Sequence, residues 1–356
     1  GIMQIKVKLA ENLKQKPQDE SKLGFGRLFT DHMLTVQYKA GIGWHNAEIR
    51  PYENFSLSPA ALVFHYSQTI FEGLKAYRTP EGIKLFRPWD NFKRMNVSAR
   101  RLCIPEIDEE FALDALVQLL RIEQDWVPHS EGTSLYIRPT IIATDPYLGV
   151  KAGEEYIFYI ILSPVGAYYA SGLEPVDIYV EDEYVRSVVG GMGFAKTGGN
   201  YAASLIAGEL AHKMGYSQVL WLDGKERKYV EEVGSMNIFF KIRGELFTAP
   251  LEGTILAGIT RDSVIRLAKE VFGVNVREER LAIADIFEEH EKGGLEEVFG
   301  TGTAAVVSPV GSMKWEDKVI RIGGGKMGEL TRKLYDKLTG IQYGREKDIF
   351  GWTMTI

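Results

Sequence analysis

The stretch Gly193–Ala211, "GFAKTGGNYAASLIAGELA", sets one lysine, Lys196, among residues that are nearly all small. A lysine at a surface has no need of flanking glycines, and a lysine in a core is costly unless its amine is used. A desolvated lysine amine is a nucleophile that condenses with carbonyls, and small neighbours let a flat molecule lie against the backbone where it attaches. A lysine snorkelling from the start of a helix reads the same stretch equally well. Asn200 is placed to cap the helix that follows, which sets Tyr201 in its first turn, close to the lysine.

The chain has 356 residues, more than one ordinary core holds, so two domains are expected. Hydrophobic content of 45% and charged content of 25% describe a globular chain. A formal charge of -6 argues against nucleic acid as a partner. The single cysteine, Cys103, excludes an internal disulfide framework and suits a reducing compartment. The opening segment is charged and broken by Pro17, unlike a signal peptide. The longest uncharged run, "YIFYIILSPVGAYYASGL", carries Ser163-Pro164 and glycines through its middle, so it reads as a buried strand entering a loop. A cytoplasmic protein with no membrane partner is expected.

The first thirty or so residues are polar and read as an arm. "HMLTVQYKAGIGWHNAEIRPY" reads as strand, turn, strand, and "GLKAYRTPEGIKLFRP" as a hairpin about Thr79-Pro80-Glu81-Gly82. "PWDNFKRMNVSARRL" has helical spacing, with Phe92, Met95, Ala99 and Leu102 on one face and Pro105 as its stop. "DEEFALDALVQLLRIEQDWV" is a second amphipathic helix, capped by Asp108 and closed by Pro128. Strands "TSLYIRPTIIATD" and "EYIFYIILSP" complete this part. A Pro/Gly-punctuated linker follows. Beyond it come strands "VDIYVED" and "SQVLWLD", and a hairpin in "YVEEVGSMNIFFKIRGELFTAP" turning at Arg243-Gly244-Glu245. Strands and helices alternate without the cadence of a parallel sheet, which gives an α+β chain. The expected division is a small N-terminal α/β domain over 1–165, an interdomain loop over 166–175 and a larger C-terminal domain over 176–356.

Several familiar motifs fail. "GMGFAK" has Lys196 where a dinucleotide loop needs its third glycine, "IRIGGGKMGE" lacks the serine or threonine of a phosphate loop, and "HEKGG" lacks the second zinc-protease histidine. No metal site is expected. Other features converge on Lys196. In "VEEVGSMNIFF" strand alternation turns one of Glu231 and Glu232 inward, where a carboxylate needs a cationic partner such as a protonated pyridine nitrogen. In "LAGITRDSVIRLAKEVFG", Gly258 turns the chain into a helix whose first amides, at Ile259 and Thr260, form a phosphate seat. "FGTGTAAVVSP" gathers Thr301, Gly302, Thr303 and Ala304 as a second anion seat. Singly these read as well as a solvated turn, a capped helix and a tight turn. Together they describe a ligand with an aldehyde, a pyridine nitrogen, a phenolic oxygen and a phosphate, which is pyridoxal 5'-phosphate.

At this point the chain resembles a family. "KTGGNYAASL", "EEVGSMNIFF", "LAGITRDSV" and "FGTGTAAVVSP" are similar, in order, to segments of the branched-chain amino-acid aminotransferases, which are fold-type IV enzymes related to D-amino-acid aminotransferase. "FTDHMLTVQY", "HYSQTIFEGLKAYR", "NFKRM", "SLYIRP", "SPVGAYY" and "IQYGR" agree as well, so the resemblance covers nearly the whole chain. It implies that Lys196 attaches the cofactor as a Schiff base and carries the substrate proton. It implies that Glu232 pairs with the pyridine nitrogen and Tyr201 with the phenolic oxygen. Arg94, the amides of Ile259 and Thr260, and Thr303 would hold the phosphate. The amides of Thr303 and Ala304, with Tyr66, would take the substrate α-carboxylate.

An apolar wall for leucine, isoleucine and valine would come from Phe25, Phe71, Tyr136 and Tyr168. Arg138 and the Tyr136 hydroxyl would meet the distal carboxylate of glutamate, the usual second substrate. One pocket for both is workable because an aromatic box rejects an extra methylene by only about 1–3 kcal/mol. The resemblance also implies a homodimer and a ping-pong reaction with 2-oxoglutarate. Ala305-Val306-Val307-Ser308 stands where mammalian members carry a redox-active Cys-x-x-Cys, so no thiol switch is possible there. D-amino-acid aminotransferases and aminodeoxychorismate lyase share the lysine and glutamate but match the N-terminal segments less well. A non-catalytic phosphate-binding protein would use the same anion seats without needing Lys196.

Overall fold

The computed structural model describes residues 3–166 and 173–356. The chain forms two compact units, one of Gly1–Ala170 with Ala195–Gly198 and Ile341–Ile356, the other of Ser171–Phe194 with Gly199–Gly340. Among the described residues each unit is built on one nine-stranded sheet, with helices between strands, so the chain is α+β as expected.

In the first unit, strand Ser134–Ala143 pairs antiparallel with Glu155–Val165 along its whole length. Its alternation sorts the side chains. Leu135, Ile137, Ile141 and Ala143 join a core with Tyr156, Phe158, Ile160 and Leu162 of the neighbouring strand. Tyr136, Arg138 and Thr140 therefore project from the opposite face. The expected hairpin is present, Leu74–Thr79 against Gly82–Phe86 with Thr79 opposite Gly82. Leu74 and Ala76 enter the core, which turns Lys75 and Tyr77 to the other face.

Helix Pro88–Arg101 covers the core face with Phe92, Met95 and Ala99, all fully buried. Each of the two large side chains contributes about 1.5–3 kcal/mol by leaving water. Leu102 follows at the cap, only partly buried. The helix does not wait for Pro105. Cys103 adopts φ 57°, and the Ile104 amide donates back to the Ala99 carbonyl at 2.9 Å, closing the last turn. Helix Glu109–Glu123 starts as expected, with the Asp108 carboxylate accepting from the Phe111 amide at 2.8 Å.

The N-terminal segment is more than a polar arm. The Ala10 amide donates to His32 Nε2 at 2.9 Å, and the Lys14 amide donates to Asp31 Oδ1 at 2.7 Å. His32 lies against Glu123, Nδ1 to Oε1 at 2.7 Å, and Trp126 Nε1 donates to Asp31 Oδ2 at 2.8 Å. The segment is tied down because buried polar side chains need its backbone groups, which composition does not reveal.

In the second unit, strands Val230–Val233, Gln218–Leu222, Val176–Val180, Val306–Trp315, Leu295–Gly302 and Met236–Ile242 pair in that order. The last then pairs with the first, so this part of the sheet closes on itself and exposes no edge. The single hairpin read in 229–250 is two. One turns at Gly234-Ser235, between Val233 and Met236, and the other at Arg243-Gly244 as expected. A four-residue strand before a glycine carries too little alternation to stand out. No helix among the described residues is long and apolar enough to cross a membrane.

Candidate active site

In the first unit the segment Ala195–Gly198 is held at its backbone. The Lys196 amide donates to Ser98 Oγ at 2.9 Å, and its carbonyl accepts from the Phe71 amide at 3.1 Å. Ala195 and Thr197 are fully buried on either side. The Lys196 amine stands 5.0 Å from the centroid of the Phe71 ring. The small neighbours noted in the sequence have a packing reason in the second unit. A Cβ on Gly193 would fall 2.2 Å from the Thr254 carbonyl oxygen and 2.0 Å from Ser187 Oγ, so the backbone passes where no side chain fits. Asn200 does not cap the helix after the lysine. It lies inside helix Gly198–Ala203, and its side-chain amide donates to the Met192 carbonyl at 2.9 Å. Tyr201 is in that same short helix.

Phe71, Tyr136 and Arg138 share the polar face of the first sheet. The Arg138 guanidinium lies 4.6 Å from the Phe71 ring centroid and 5.3 Å from that of Tyr136. It donates through Nε to the Glu72 carbonyl and through Nη2 to the Tyr136 hydroxyl, both at 2.9 Å. Phe25 meets Tyr136 edge-on at 4.9 Å. Three of the residues read as a substrate wall, Phe25, Phe71 and Tyr136, thus form one aromatic and cationic group with Arg138. Tyr66 is 42% exposed, and its hydroxyl donates to the Leu148 carbonyl. Tyr168 lies outside the described residues.

Arg94 is not one of several surface arginines. Its Nε and Nη2 donate to both oxygens of Glu72, at 2.9 and 2.7 Å, in a two-pronged ion pair. Glu72 is fully buried and also accepts from Asn91 Nδ2 at 2.9 Å. Sequence reading passed over Glu72. A charge inside the otherwise apolar "TIFEGL" was the available signal, since a carboxylate there requires a partner.

In the second unit alternation does select between the two glutamates: Glu232 is 1% exposed, while Glu231 is only partly buried. Glu232 Oε1 lies 2.9 Å from Arg186 Nη1, a pairing the sequence did not signal. Glu232 is the cross-strand partner of Asn237, and Asn237 of Thr301, so three polar side chains leave one face of the sheet in a row. Both Thr301 and Asn237 are buried, and the Thr301 hydroxyl makes no hydrogen bond among the described residues. Asn237 Nδ2 donates to the Leu256 carbonyl at 3.0 Å.

Gly258 packs beside the same side chain; a Cβ there would stand 2.1 Å from Asn237 Oδ1. Gly258 is the N-cap of helix Ile259–Glu270, which has no side-chain cap and begins one residue before Thr260. Thr303 and Ala304 form the turn between strands Leu295–Gly302 and Val306–Trp315. A cavity of about 180 Å³ in this unit is lined by Arg186, Tyr201, Gly234 and Ser235 among others. An inward carboxylate, an unmatched buried hydroxyl and an uncapped helix start suit a ligand with a cationic ring and a phosphate.

Glu231 is set apart by its proton. Burial pushes its carboxyl up to about 7; a hydrogen bond from Thr254 Oγ1 opposes this, the charges of Glu232 and Asp223 add to it, and Arg186 opposes it. From pH 4.5 to about 7 the folded chain holds a proton there that the unfolded chain has released. Stability therefore falls as pH rises through that window and levels off above it. Glu231→Gln is expected to flatten the fall by about 1–2 kcal/mol, discounted for partial exposure. Urea unfolding of both proteins at pH 5 and pH 7.5 measures it, and equal slopes would make Glu231 an ordinary surface carboxylate.

Comparison with known proteins places these features in a family. The profile of class IV amino-transferases matches residues 69–313. Branched-chain-amino-acid aminotransferase 2 of Bacillus subtilis is 56% identical over 353 residues, covering 99% of this chain and 97% of its own. A probable branched-chain-amino-acid aminotransferase of Staphylococcus epidermidis is 55% identical, covering 99% and 98%. Among solved structures, the Escherichia coli branched-chain amino acid aminotransferase superposes with a TM-score of 0.75 at 30% identity, over 89% of this chain and 98% of that one. The branched-chain aminotransferase of the thermophilic archaeon Thermoproteus uzoniensis, solved with norvaline, follows with a TM-score of 0.73 at 26% identity, over 91% and 99%. Matched from end to end at more than half identity, this chain belongs to the class IV aminotransferases and, within them, to the branched-chain amino-acid aminotransferases.

Proposed function

We propose that this chain transfers the amino group of L-leucine, L-isoleucine or L-valine to 2-oxoglutarate in two ping-pong half-reactions, with pyridoxal 5'-phosphate as cofactor. The observation that carries the reading is the cross-strand row of Glu232, Asn237 and Thr301 beside the uncapped helix start. When bound, the cofactor supplies an electron sink for the pair left behind when the substrate Cα loses its proton.

The chain's own residues do the rest. Lys196 binds the cofactor through its amine, then takes the proton from Cα and returns it on the cofactor side; its backbone is pinned at both the amide and the carbonyl, which aims the side chain. Glu232 holds a proton on the ring nitrogen, and Tyr201 donates to the phenolic oxygen. Arg94, the Ile259 and Thr260 amides and Thr303 hold the phosphate. Glu72 occupies one edge of the Arg94 guanidinium, so a phosphate contact falls to the other edge. The Thr303 and Ala304 amides and Tyr66 hold the α-carboxylate.

Phe25, Phe71, Tyr136 and Tyr168 would exclude water around a branched side chain. Arg138, already braced on Tyr136 and Phe71, would turn its cation to the distal carboxylate of glutamate. The protein works as a cytoplasmic homodimer in this reading. Exposed Leu205, Ile206 and Leu210 on helix Leu205–Lys213, with Met214 at its C-cap, support an apolar partner surface.

The test is an absorbance spectrum of the purified protein before and after L-leucine, with D-alanine as control. A yellow band bleached by L-leucine alone is expected. Bleaching by D-alanine alone would move the substrate class to D-amino acids, and no band after adding pyridoxal 5'-phosphate would remove the cofactor.

A further inference from the structure

We infer that Arg186 is a positioning residue for the reaction, acting through Glu232, and that it fixes the charge of the carboxylate that meets the ring nitrogen. The inference rests on the role proposed above for Glu232. Glu232 is 1% exposed, and a lone carboxylate at such depth favours its neutral form. In that form it would offer the ring nitrogen a hydroxyl to donate, where the sink needs an anion that keeps the nitrogen protonated.

The Arg186 side chain is itself 8% exposed and sits 2.9 Å from Glu232 Oε1 through Nη1. The same Nη1 points at two carbonyl oxygens, Gly193 at 3.3 Å and Thr254 at 3.4 Å. The two carbonyls take the hydrogens of this nitrogen and fix the guanidinium, which faces the Glu232 carboxylate as an ion pair, not as a hydrogen-bond donor. At that distance the cation favours the charged form of the buried carboxylate. Arg186 and Tyr201 also line one cavity of this unit. Gly193 lies three residues before Lys196, so the arginine also steadies the strand of chain that delivers the lysine.

A cation that sets its neighbour's charge differs from a cation that merely packs, because its effect vanishes once the neighbour has no charge to set. The experiment is therefore a cycle of Arg186→Met, Glu232→Gln and the double variant. It reads kcat and KM for L-leucine and the dissociation constant of pyridoxal 5'-phosphate for the apoprotein, the last by quenching of tryptophan fluorescence. Arg186→Met is expected to lower kcat about ten- to hundredfold, the range expected when one side of a close, buried ion pair is lost, with KM nearly unchanged. It should weaken cofactor binding by a comparable factor. In the Glu232→Gln background the same substitution should change either quantity less than about threefold.

Equal losses in both backgrounds would make Arg186 a packing residue and overturn the inference, as would a single variant indistinguishable from the parent. If Glu232→Gln left kcat and cofactor binding intact, the role of Glu232 itself would fall instead. Should Arg186→Met not fold, Arg186→Lys enters the same cycle: it keeps a cation with shorter reach and only one contact point, and an intermediate loss confined to the Glu232 background supports the inference.

Discussion

Lys196→Ala leaves a folded protein that turns over L-leucine and 2-oxoglutarate at least about 10⁴-fold more slowly than the parent. In the proposed mechanism one amine has two duties, anchoring the cofactor and carrying the proton, and both are lost in one substitution. The fold should barely respond. What holds this segment is its backbone, through the Ser98 hydroxyl, the Phe71 amide and the bridge between Ile70 and Thr197, and none of these needs the lysine side chain. The neighbours that bury well are Ala195 and Thr197, which stay in place. Steady-state assays and a thermal melt on the same preparation separate the two effects. Activity within tenfold of the parent would sink the assignment of Lys196; a large drop in melting temperature would show that the side chain has a structural duty.

The second large effect concerns stability. Glu72→Ala removes a fully buried carboxylate that accepts from Arg94 Nε and Nη2 and from Asn91. The guanidinium left behind is only 11% exposed, too deep for water to replace the lost partner. Breaking one side of such a pair costs about 3–5 kcal/mol. That corresponds to a melting temperature lower by roughly 10 °C for a unit of this size. Arg94→Met strands the carboxylate instead and should cost about as much, while the double variant should cost clearly less than the sum. Denaturant titration of the four proteins measures the coupling. Strict additivity would mean that the two groups do not support each other. A further readout bears on function: if Arg94 holds a phosphate, Glu72→Gln should weaken pyridoxal 5'-phosphate binding even where it folds well.

Much of the local structure was legible because it depends on neighbours along the chain. Phe92, Met95 and Ala99 recur at helical spacing and are buried together; Asp108 precedes an amphipathic run and caps it. The hairpin at Thr79–Gly82 and the turn at Arg243-Gly244 follow from residue types at fixed positions. Where the reading slipped, a non-local partner had intervened. Asn200 is drawn into the helix by the Met192 carbonyl instead of capping it, and the polar N-terminal segment is claimed by His32 and Asp31.

The candidate site divides in the same way. Lys196 among small residues, one inward glutamate of the 231–232 pair and the helix start at Gly258 were visible in the sequence, because each follows from local pattern: residue size, period-two alternation, a glycine before a helix; that the inward one is Glu232 came from the resemblance. The sequence by itself determined which groups are chemically able, and in which strand or helix each stands. Only the tertiary structure decided which groups meet: Glu72 with Arg94, Arg186 with Glu232, and the four residues around Lys196 with the first unit rather than with the chain on either side of them. The physical reason is that alternation and helical period fix the direction of a side chain relative to its own backbone. The partner of a buried charge is set by which strands and helices pack against one another, and that is a property of the folded chain.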